Sequence, residues 1–246
     1  MTSAAPVFWY DEIDSTNEEA KRRGKAGEFG PVWLAARQQT SGRGRLGRSW
    51  ASPVGNLFTT CLFAEPDGLA MAGRVPFAAA LAIIDVCRAV LPKVPFALKW
   101  PNDVRVDHKK ICGILIETGE TKGVVWVAAG MGLNVADTPS AAGQAATSLY
   151  ELGAAPGITA DLLMQDLPSF FARRVQQMRD DFQGLLRDWT QHAEALGKTV
   201  VAGPETARVE GVFERLAEDG GLVLRLPDGQ TRTIRAGDVE LVRRVS

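Results

Sequence analysis

The sequence predicts an α+β protein: a mixed sheet with flanking helices, followed by a small C-terminal β-barrel. Strand-like runs at 96–100, 111–117 and 124–135 follow one another without crossover helices, which favours an antiparallel or mixed sheet over a doubly wound one. Apolar residues at helical spacing occupy separate stretches before and after these runs. After Gly197 the chain changes to short β-like runs separated by turn sequences, which is typical of a small barrel.

The composition is that of a folded globular protein. Hydrophobic residues make up 46% of the 246 residues, and charged residues make up 23%. The net charge of -1 and the pI near 6.2 provide no global positive field that would hold a polyanion such as DNA. Three widely spaced cysteines without a CxxC pair predict neither a disulfide framework nor a zinc site, and they suit a reducing cytoplasm.

Neither targeting nor membrane attachment is expected. The N-terminus has no basic segment followed by a long apolar one, so it does not resemble a signal peptide. The most apolar stretch, Phe77 to Leu91, is interrupted by Asp85 and Arg88, and we expect it to be too short to span a bilayer. The sequence therefore predicts a cytoplasmic protein.

The first predicted element is a helix within Asp11 to Ala26. Ser15 and Thr16 are good N-cap residues, and two glutamates follow in the first turn, where the helix dipole favours acids. Thr16 and Glu19 have the spacing of a capping box. The capping pattern therefore predicts that these side chains begin the helix.

The middle of the chain combines strands with one buried helix. Residues 32–37 and 56–64 are predicted as strands, and the Gly/Arg-rich segment between them as a loop. Arg74 to Leu91 is predicted as a mostly buried helix. Val104 and Val106 form a short alternating piece that precedes a turn.

The last third contains helices and then the barrel. Residues 159–196 predict a helical pair or one long helix, capped by Thr159 and disturbed at Pro168. The apolar positions of this stretch recur at helical spacing and indicate core packing. Barrel strands are predicted at 199–202, 207–215, 222–226, 231–235 and 239–245. We place the domain boundary near Gly197, which divides the chain into 1–196 and 197–246.

The strongest chemical signal is the segment from Gln39 to Trp50. Arg43, Arg45 and Arg48 lie on a backbone loosened by three glycines, so the segment can fold around an anion. The glycines also satisfy GxGxxG, but Pro53 follows at once and the next strand leaves no room for a βαβ unit. An RG-type nucleic-acid patch and a merely solvated loop remain alternatives.

A second signal is Lys99-Trp100-Pro101-Asn102-Asp103, followed by the strand from Lys109 to Glu117. A lysine at the end of an apolar strand and an Asn-Asp pair offer a cation and the oxygen ligands that Mg²⁺ takes with a nucleotide. Lys110 stands at the entrance of the next strand, and Gly113 would let a ligand approach the backbone. Solvation is the better explanation of each lysine taken alone.

Two weaker signals complete the set. Asp14-Ser15-Thr16-Asn17 offers uncharged donors for a small polar head group, although helix capping explains the same residues. Gly130-Met131-Gly132-Leu133-Asn134 ends an apolar strand and would allow close approach of a ligand, or it is a plain strand end. Neither motif identifies a function unaided.

The four segments together resemble the biotin protein ligase family. DSTN, QTSGRGRLGRSW, KWPND followed by KKICGILIE, and GMGLN occur here in the order and spacing of that family. The resemblance covers nearly the whole chain, because the C-terminal segment is similar to the family's SH3-like domain. It implies a catalytic domain like the class II aminoacyl-tRNA synthetase core. It also implies that ATP and biotin form biotinyl-5'-AMP, and that biotin then passes to a lysine of a carboxylase carrier domain.

The resemblance also implies roles for particular residues. It places the biotin head group on Ser15, Thr16, Asn17 and Gln39. It assigns biotin and adenylate binding to Arg43, Gly44, Arg45 and Lys110, with Lys110 and Arg45 as the catalytic pair. The ATP and phosphate contacts would come from Arg48, Trp50, Asn102, Asp103 and Asn134. The Mg²⁺ ion that accompanies ATP would be held by Asp103.

Two rivals and one departure from the family follow from the same residues. Lipoate or octanoyl ligases and transferases share the ligase core, and a nucleic-acid-binding module could be built on GRGRLGR and the barrel. The pI and the absence of aromatic residues between the arginines argue against the second rival. DSTN begins at residue 14, which leaves no room for the helix-turn-helix domain of repressor-type ligases, so no specific DNA binding is expected.

Overall fold

The computed structural model of the protein describes residues 5–139 and 145–242. Seven strands form the large sheet: β1 (Val7–Ile13), β2 (Val32–Gln39), β3 (Leu57–Ala64), β4 (Ala97–Lys99), β5 (Asp103–Val106), β6 (Lys109–Thr121) and β7 (Val124–Leu133). Their order is β1-β2-β3-β7-β6-β5-β4. Only β1 and β2 pair in parallel, and the remaining pairs are antiparallel. The predicted mixed sheet is confirmed.

Helices cover the sheet on its two faces: α1 (Thr16–Ala26), α2 (Gly68–Ala72), α3 (Val75–Val90), α4 (Ala160–Asp180) and α5 (Phe182–Gln191). Helix α3 is buried along nearly its whole length, as the sequence predicts, and belongs to the main hydrophobic core. Helix α1 packs on the opposite face over a second, smaller apolar cluster. The α+β architecture therefore places the first turn of α1 directly above the sheet.

The start of the chain differs from the prediction in two ways. Residues 11–13 belong to the edge strand β1 rather than to the helix. The sequence did not predict this strand, because it lacks the regular alternation of apolar and polar residues that is typical of strands. The helix begins at Thr16 with Ser15 as an extended N-cap, and the Ser15 side chain makes no capping hydrogen bond. The Thr16 hydroxyl contacts Gln39 instead, so the predicted capping box with Glu19 is wrong.

The predicted interruption at Pro168 is also wrong. Helix α4 continues through this buried proline, which indicates that packing outweighs the backbone hydrogen bond that proline removes. The break falls at Asp181, whose side chain accepts a 2.8 Å hydrogen bond from the Gly184 backbone and begins α5. The short helix α2 was not predicted, because one turn carries too little periodicity.

The apolar region around α3 is longer than the sequence estimate. Residues Gly68–Val90 form a 23-residue helical stretch with a mean hydropathy of 1.7, so its length and composition alone would suffice to cross a membrane. The apolar stretch predicted from the sequence began at Phe77 and therefore left out the residues of α2. Within this stretch 61% of the most apolar window is buried inside the protein, which is the behaviour of a core helix.

The C-terminal strands form a second, five-stranded antiparallel sheet: β8 (Thr199–Gly203), β9 (Val209–Leu216), β10 (Leu222–Arg225), β11 (Thr231–Ile234) and β12 (Asp238–Leu241). The order β11-β10-β9-β8-β12 brings the last strand back beside the first, as in an SH3-like fold. The end of the fifth predicted strand lies outside the described residues. The boundary near Gly197 stays a prediction.

The small sheet packs tightly against the rest of the chain. Buried side chains of this sheet, such as Phe213 and Leu222, belong to the same hydrophobic cluster as α3. The Trp100 indole N–H donates a 3.0 Å hydrogen bond to the backbone carbonyl of Gly220. Consequently, residues of the small sheet stand close to the KWPND turn.

Candidate active site

One cavity of about 740 Å³ collects the four sequence motifs. It is bounded by the start of α1, the end of β2, the segment 40–50 and the facing ends of β5, β6 and β7. All the residues assigned to the site from the sequence line it: Ser15, Thr16, Asn17, Gln39, Arg43, Gly44, Arg45, Arg48, Trp50, Asn102, Asp103, Lys110 and Asn134. The structure therefore brings together residues that are far apart in the chain.

The bottom of the cavity is a polar floor formed by Ser15, Thr16, Asn17 and Gln39. Ser15, Thr16 and Asn17 are 2%, 3% and 4% exposed. Gln39 Oε1 accepts a hydrogen bond from the Thr16 backbone N–H at 2.9 Å and lies 3.2 Å from the Thr16 hydroxyl. Its Nε2 donates to the Ser52 hydroxyl at 2.9 Å, so both ends of the Gln39 amide are fixed.

Asn17 is held at both ends of its amide as well. Its Nδ2 donates to the Leu115 carbonyl at 3.2 Å and to the Glu117 carboxylate at 2.9 Å. Its Oδ1 lies 2.7 Å from the buried Thr60 hydroxyl. The floor is thus a network of short polar contacts in which each amide has a determined orientation.

Lys110, Asp103 and Trp50 form one wall of the cavity. Lys110 Nζ lies 2.7 Å from Asp103 Oδ1 and 5.0 Å from the centre of the Trp50 ring. The Trp50 indole rests on Gly113 and Gly132, which face each other across β6 and β7. A Cβ atom would come within 2.9 Å of the ring at Gly113 and 2.6 Å at Gly132. The close approach expected at Gly113 is therefore made by Trp50.

Residues 40–50, here termed the arginine loop, close the cavity from above. Gly44 N–H donates to the Arg48 carbonyl, and Trp50 N–H donates to the Gly42 carbonyl, so the loop is a folded-back turn. Its tip is Leu46, which is 79% exposed and has a φ of 56°. No helix follows before β3, so the geometry contradicts a dinucleotide-binding βαβ unit.

Each arginine of the loop already has an acceptor. Arg43 pairs with Glu18 of α1 at 2.8 Å. Arg45 donates to Asn102 Oδ1 at 3.0 Å and to the Gly237 carbonyl at 3.2 Å. Arg48 lies 3.3 Å from an Asp238 carboxylate oxygen. The loop is therefore attached to α1 on one side and to the C-terminal sheet on the other.

Two cations of the cavity are partly desolvated. Burial lowers the pKa of the Arg45 guanidinium, while the Asp238 and Asp103 carboxylates oppose that shift. Burial likewise lowers the pKa of the Lys99 ammonium, against the opposing effect of Asp103. Partial desolvation strengthens the attraction of such cations for a bound phosphate or carboxylate.

Several residues in the cavity or directly beneath it were not predicted from the sequence. Lys99 lines the cavity but was not assigned to the site. A lone lysine at a strand end does not indicate whether its side chain faces a cavity or the solvent. Asp238 comes from the small sheet and lines the cavity beside Arg45, which lies almost 200 residues earlier in the chain. Nothing in the local sequence around Asp238 indicates this contact. Thr60 lies beneath the floor and was hidden in an apolar strand.

The described residues contain no group of three or more His, Cys, Asp or Glu side chains that would hold a metal ion. Asp103 is the carboxylate nearest to Lys110 in the cavity, and its Oδ1 is already paired. Mg²⁺ that arrives with a nucleotide needs only one or two protein carboxylates, since phosphate oxygens and water supply the other ligands. The donor set therefore fits a nucleotide-borne Mg²⁺ rather than a resident metal.

The fold and the cavity define a protein-modifying ligase of the biotin and lipoate class. Residues 11–134 match the model of the biotin/lipoate A/B protein ligase family, and residues 195–242 match the biotin protein ligase C-terminal domain. Within that class, the chain belongs to the biotin protein ligase family.

Two relatives and one solved structure are similar to this protein over nearly its whole chain. The chain is 36% identical to the biotin–[acetyl-CoA-carboxylase] ligase of Paracoccus denitrificans, over 92% of this chain and 96% of that one. It is 33% identical to the Mycobacterium tuberculosis enzyme of the same name, over 94% of this chain and 87% of that one. The Aquifex aeolicus biotin protein ligase in complex with biotin and ATP superposes with a TM-score of 0.80 at 28% identity, covering 97% and 99%.

Proposed function

We propose that this chain is an ATP-dependent biotin protein ligase that forms biotinyl-5'-AMP and transfers biotin to a lysine of a carrier domain. One observation carries the proposal. A buried polar floor, the arginine loop and Lys110 enclose the same cavity. The floor suits a small polar head group, and the cations suit a carboxylate and a phosphate.

In the first half-reaction, the carboxylate of biotin attacks the α-phosphate of ATP and pyrophosphate leaves. The biotin head group binds on Ser15, Thr16, Asn17 and Gln39. Lys110 and Arg45 then hold the carboxylate and the phosphate against each other. No protein nucleophile is needed, because the gain comes from positioning and from cations that offset phosphate charge.

The remaining cavity residues belong to the nucleotide. Arg48, Trp50, Asn102 and Asn134 also line the cavity and are assigned to ATP. Asp103 would hold Mg²⁺, which would offset charge on the phosphates of bound ATP. Asn134 supports this assignment, since its buried Oδ1 has no hydrogen-bond partner among the described residues.

In the second half-reaction, the amine of the carrier lysine attacks the mixed anhydride and AMP leaves. Arg43 and Gly44 belong to the loop segment that covers the adenylate and keeps water away from it. The acceptor is the biotin carboxyl carrier domain of acetyl-CoA carboxylase or of a related carboxylase. The three free cysteines are all buried, which suits work in the reducing cytoplasm.

Two alternatives lead to different experiments. Lipoate and octanoate lack the ureido ring that would use the polar floor, so competition between biotin and lipoate separates these activities. A nucleic-acid module would need cations that are available to a polyanion. The net charge of -1 gives the chain no global positive field that would hold a polyanion, which argues against it.

The deciding experiment combines the purified protein with ATP, Mg²⁺, biotin and a carrier domain, and reads the carrier mass. A carrier whose acceptor lysine is changed to arginine is the matched control. We expect one biotinyl addition that requires both ATP and the lysine. Addition of lipoyl or octanoyl groups with no biotinyl product would contradict the proposal.

A further inference from the structure

Thr60 lies beneath the polar floor without lining the cavity itself. It belongs to β3, its side chain is completely buried, and its hydroxyl reaches two floor residues. Thr60 Oγ1 lies 2.7 Å from Asn17 Oδ1 and 2.8 Å from Thr16 Oγ1. No other part of the described chain brings one buried hydroxyl to two consecutive floor residues.

The sheet fixes the geometry of this contact. Thr60 on β3 pairs with Gly130 on β7, and Gly130 pairs with Leu115 on β6. Asn17 lies across this row of three strands, with its Oδ1 on Thr60 and its Nδ2 on the Leu115 carbonyl. A Cβ atom at Gly130 would lie 2.0 Å from Asn17 Oδ1. The side chain therefore rests directly on a glycine.

The hydrogen-bonding capacity of these groups determines the role of Thr60. Asn17 Nδ2 uses its two protons on Leu115 and Glu117, so Oδ1 is the end that must accept. A hydroxyl has one proton to give, and Asn17 Oδ1 cannot supply one. Thr60 therefore donates to Asn17 Oδ1 and accepts from the Thr16 hydroxyl, while Gln39 Oε1 keeps the Thr16 backbone N–H. Without it, Asn17 Oδ1 would lose this buried donor.

We propose that Thr60 is a positioning residue for the head-group site: its hydroxyl sets the amide orientation of Asn17 and the rotamer of Thr16. This inference rests on the proposed function. Thr60 touches neither the reacting carboxylate nor the phosphate, so it acts through the floor alone. Its loss should therefore weaken recognition of the biotin ring and leave the nucleotide side of the cavity intact.

The test compares Thr60→Val, which keeps the shape and removes the hydroxyl, with Thr60→Ser, which keeps the hydroxyl. Steady-state carrier biotinylation gives KM for biotin, KM for ATP and kcat. We expect Thr60→Val to raise the biotin KM about tenfold, the effect of one unsatisfied buried acceptor. We expect KM for ATP and kcat at saturating biotin to stay within about twofold, and Thr60→Ser to remain near wild type.

Two results would overturn the inference: a wild-type biotin KM in Thr60→Val, or equal impairment in Thr60→Ser. If Thr60→Val does not unfold cooperatively, Thr60→Ala replaces it, since it removes the same hydroxyl with a smaller side chain. A folded Thr60→Ala protein with unchanged biotin KM would then overturn the inference. Failure of the proposed function is distinguishable, because it would appear as absence of biotin-dependent adenylate in the wild-type protein.

Discussion

The polar floor and the arginine loop enclose the same cavity but are held in different ways. Floor residues such as Thr16 and Asn17 are buried and are joined by neutral hydrogen bonds to Gln39 and Thr60. The loop arginines Arg43 and Arg48 have side chains about half exposed and are held by carboxylates. One region is part of the folded core and the other is attached to its surface.

This difference separates recognition from closure. A buried polar group that loses its partner is costly, so the floor keeps one arrangement and can select one head group. Exposed ion pairs contribute little to stability, so a phosphate can replace Glu18 or Asp238 as the partner of an arginine. Changes in the loop should therefore alter adenylate chemistry, while changes beneath the floor should alter biotin selectivity.

The largest effect is expected for Arg45→Ala. Arg45 is the most buried arginine of the loop, and its loss removes a partly desolvated cation from the phosphate. We expect adenylate formation to fall by about 10²-fold or more, as for one preorganised donor to a charged transition state. Pyrophosphate release and adenylate retention measure the effect, and the melting temperature should change little.

The control for Arg45→Ala is Arg187→Ala, which removes an exposed arginine of α5 whose ion-pair partner is Asp181. This variant should retain full adenylate formation. Unchanged pyrophosphate release and retention in Arg45→Ala would show that the loop does not act on the phosphate.

A smaller effect is expected for Lys110→Gln, at the wall between floor and loop. The ammonium pairs with Asp103, and the cavity surrounds it. We expect affinities for biotin and adenylate to fall about tenfold in calorimetry, since a charged hydrogen-bond donor is lost. Lys109→Gln is the matched control, because the side chain of Lys109 is exposed and does not line the cavity. Equal biotin affinity in both variants would remove Lys110 from the site.

Glu18→Gln should act in the opposite direction and more weakly. Glu18 holds Arg43 in the structure, so its neutralisation removes a contact that competes with the phosphate. We expect adenylate retention to improve by less than about threefold, in keeping with an exposed ion pair, and the gain to vanish at high salt. Glu19→Gln is the control, since Glu19 pairs with Arg22 and Arg23 of its own helix. Weaker retention in Glu18→Gln alone would show that the pair supports the closed loop.

The smallest effect concerns Asp14, which precedes the floor and has a side chain that is 44% exposed. The Arg22 guanidinium lowers the pKa of this carboxyl from 3.8 to about 2. Because the folded-state pKa is depressed, the contribution to stability is present above pH 3.8 and is lost as the pH falls towards 2. Asp14→Asn should lower stability at pH 7 by less than about 1 kcal/mol, with unchanged biotin KM. Urea unfolding at pH 7 and pH 2.5 measures this. An equal deficit at both pH values would contradict it.

The sequence predicted the site better than it predicted the elements that carry it. The residue types in DSTN, GRGRLGR and KWPND indicate their chemistry locally, and each of these motifs contributes residues to the cavity lining. Strand β1 and the continuity of α4 through Pro168 depend on packing partners that are distant in sequence. The same reason hid Asp238 and Thr60, whose roles arise only from what lies beside them in space.

The barrel gives a second example of the same limit. Its strands were predicted from turn sequences, which are local signals. That its apolar residues merge with the core around α3 is not a local property. Surface complementarity between two parts of a chain is not expressed in the pattern of either part.

The stacking of Trp50 on two glycines also constrains how this protein can evolve. Gly113 and Gly132 face each other across β6 and β7, and a side chain at either position would enter the space of the ring. A substitution at either glycine therefore requires the indole to shift or a smaller side chain to replace it. We expect the three positions, spread over 83 residues of sequence, to vary together in evolution.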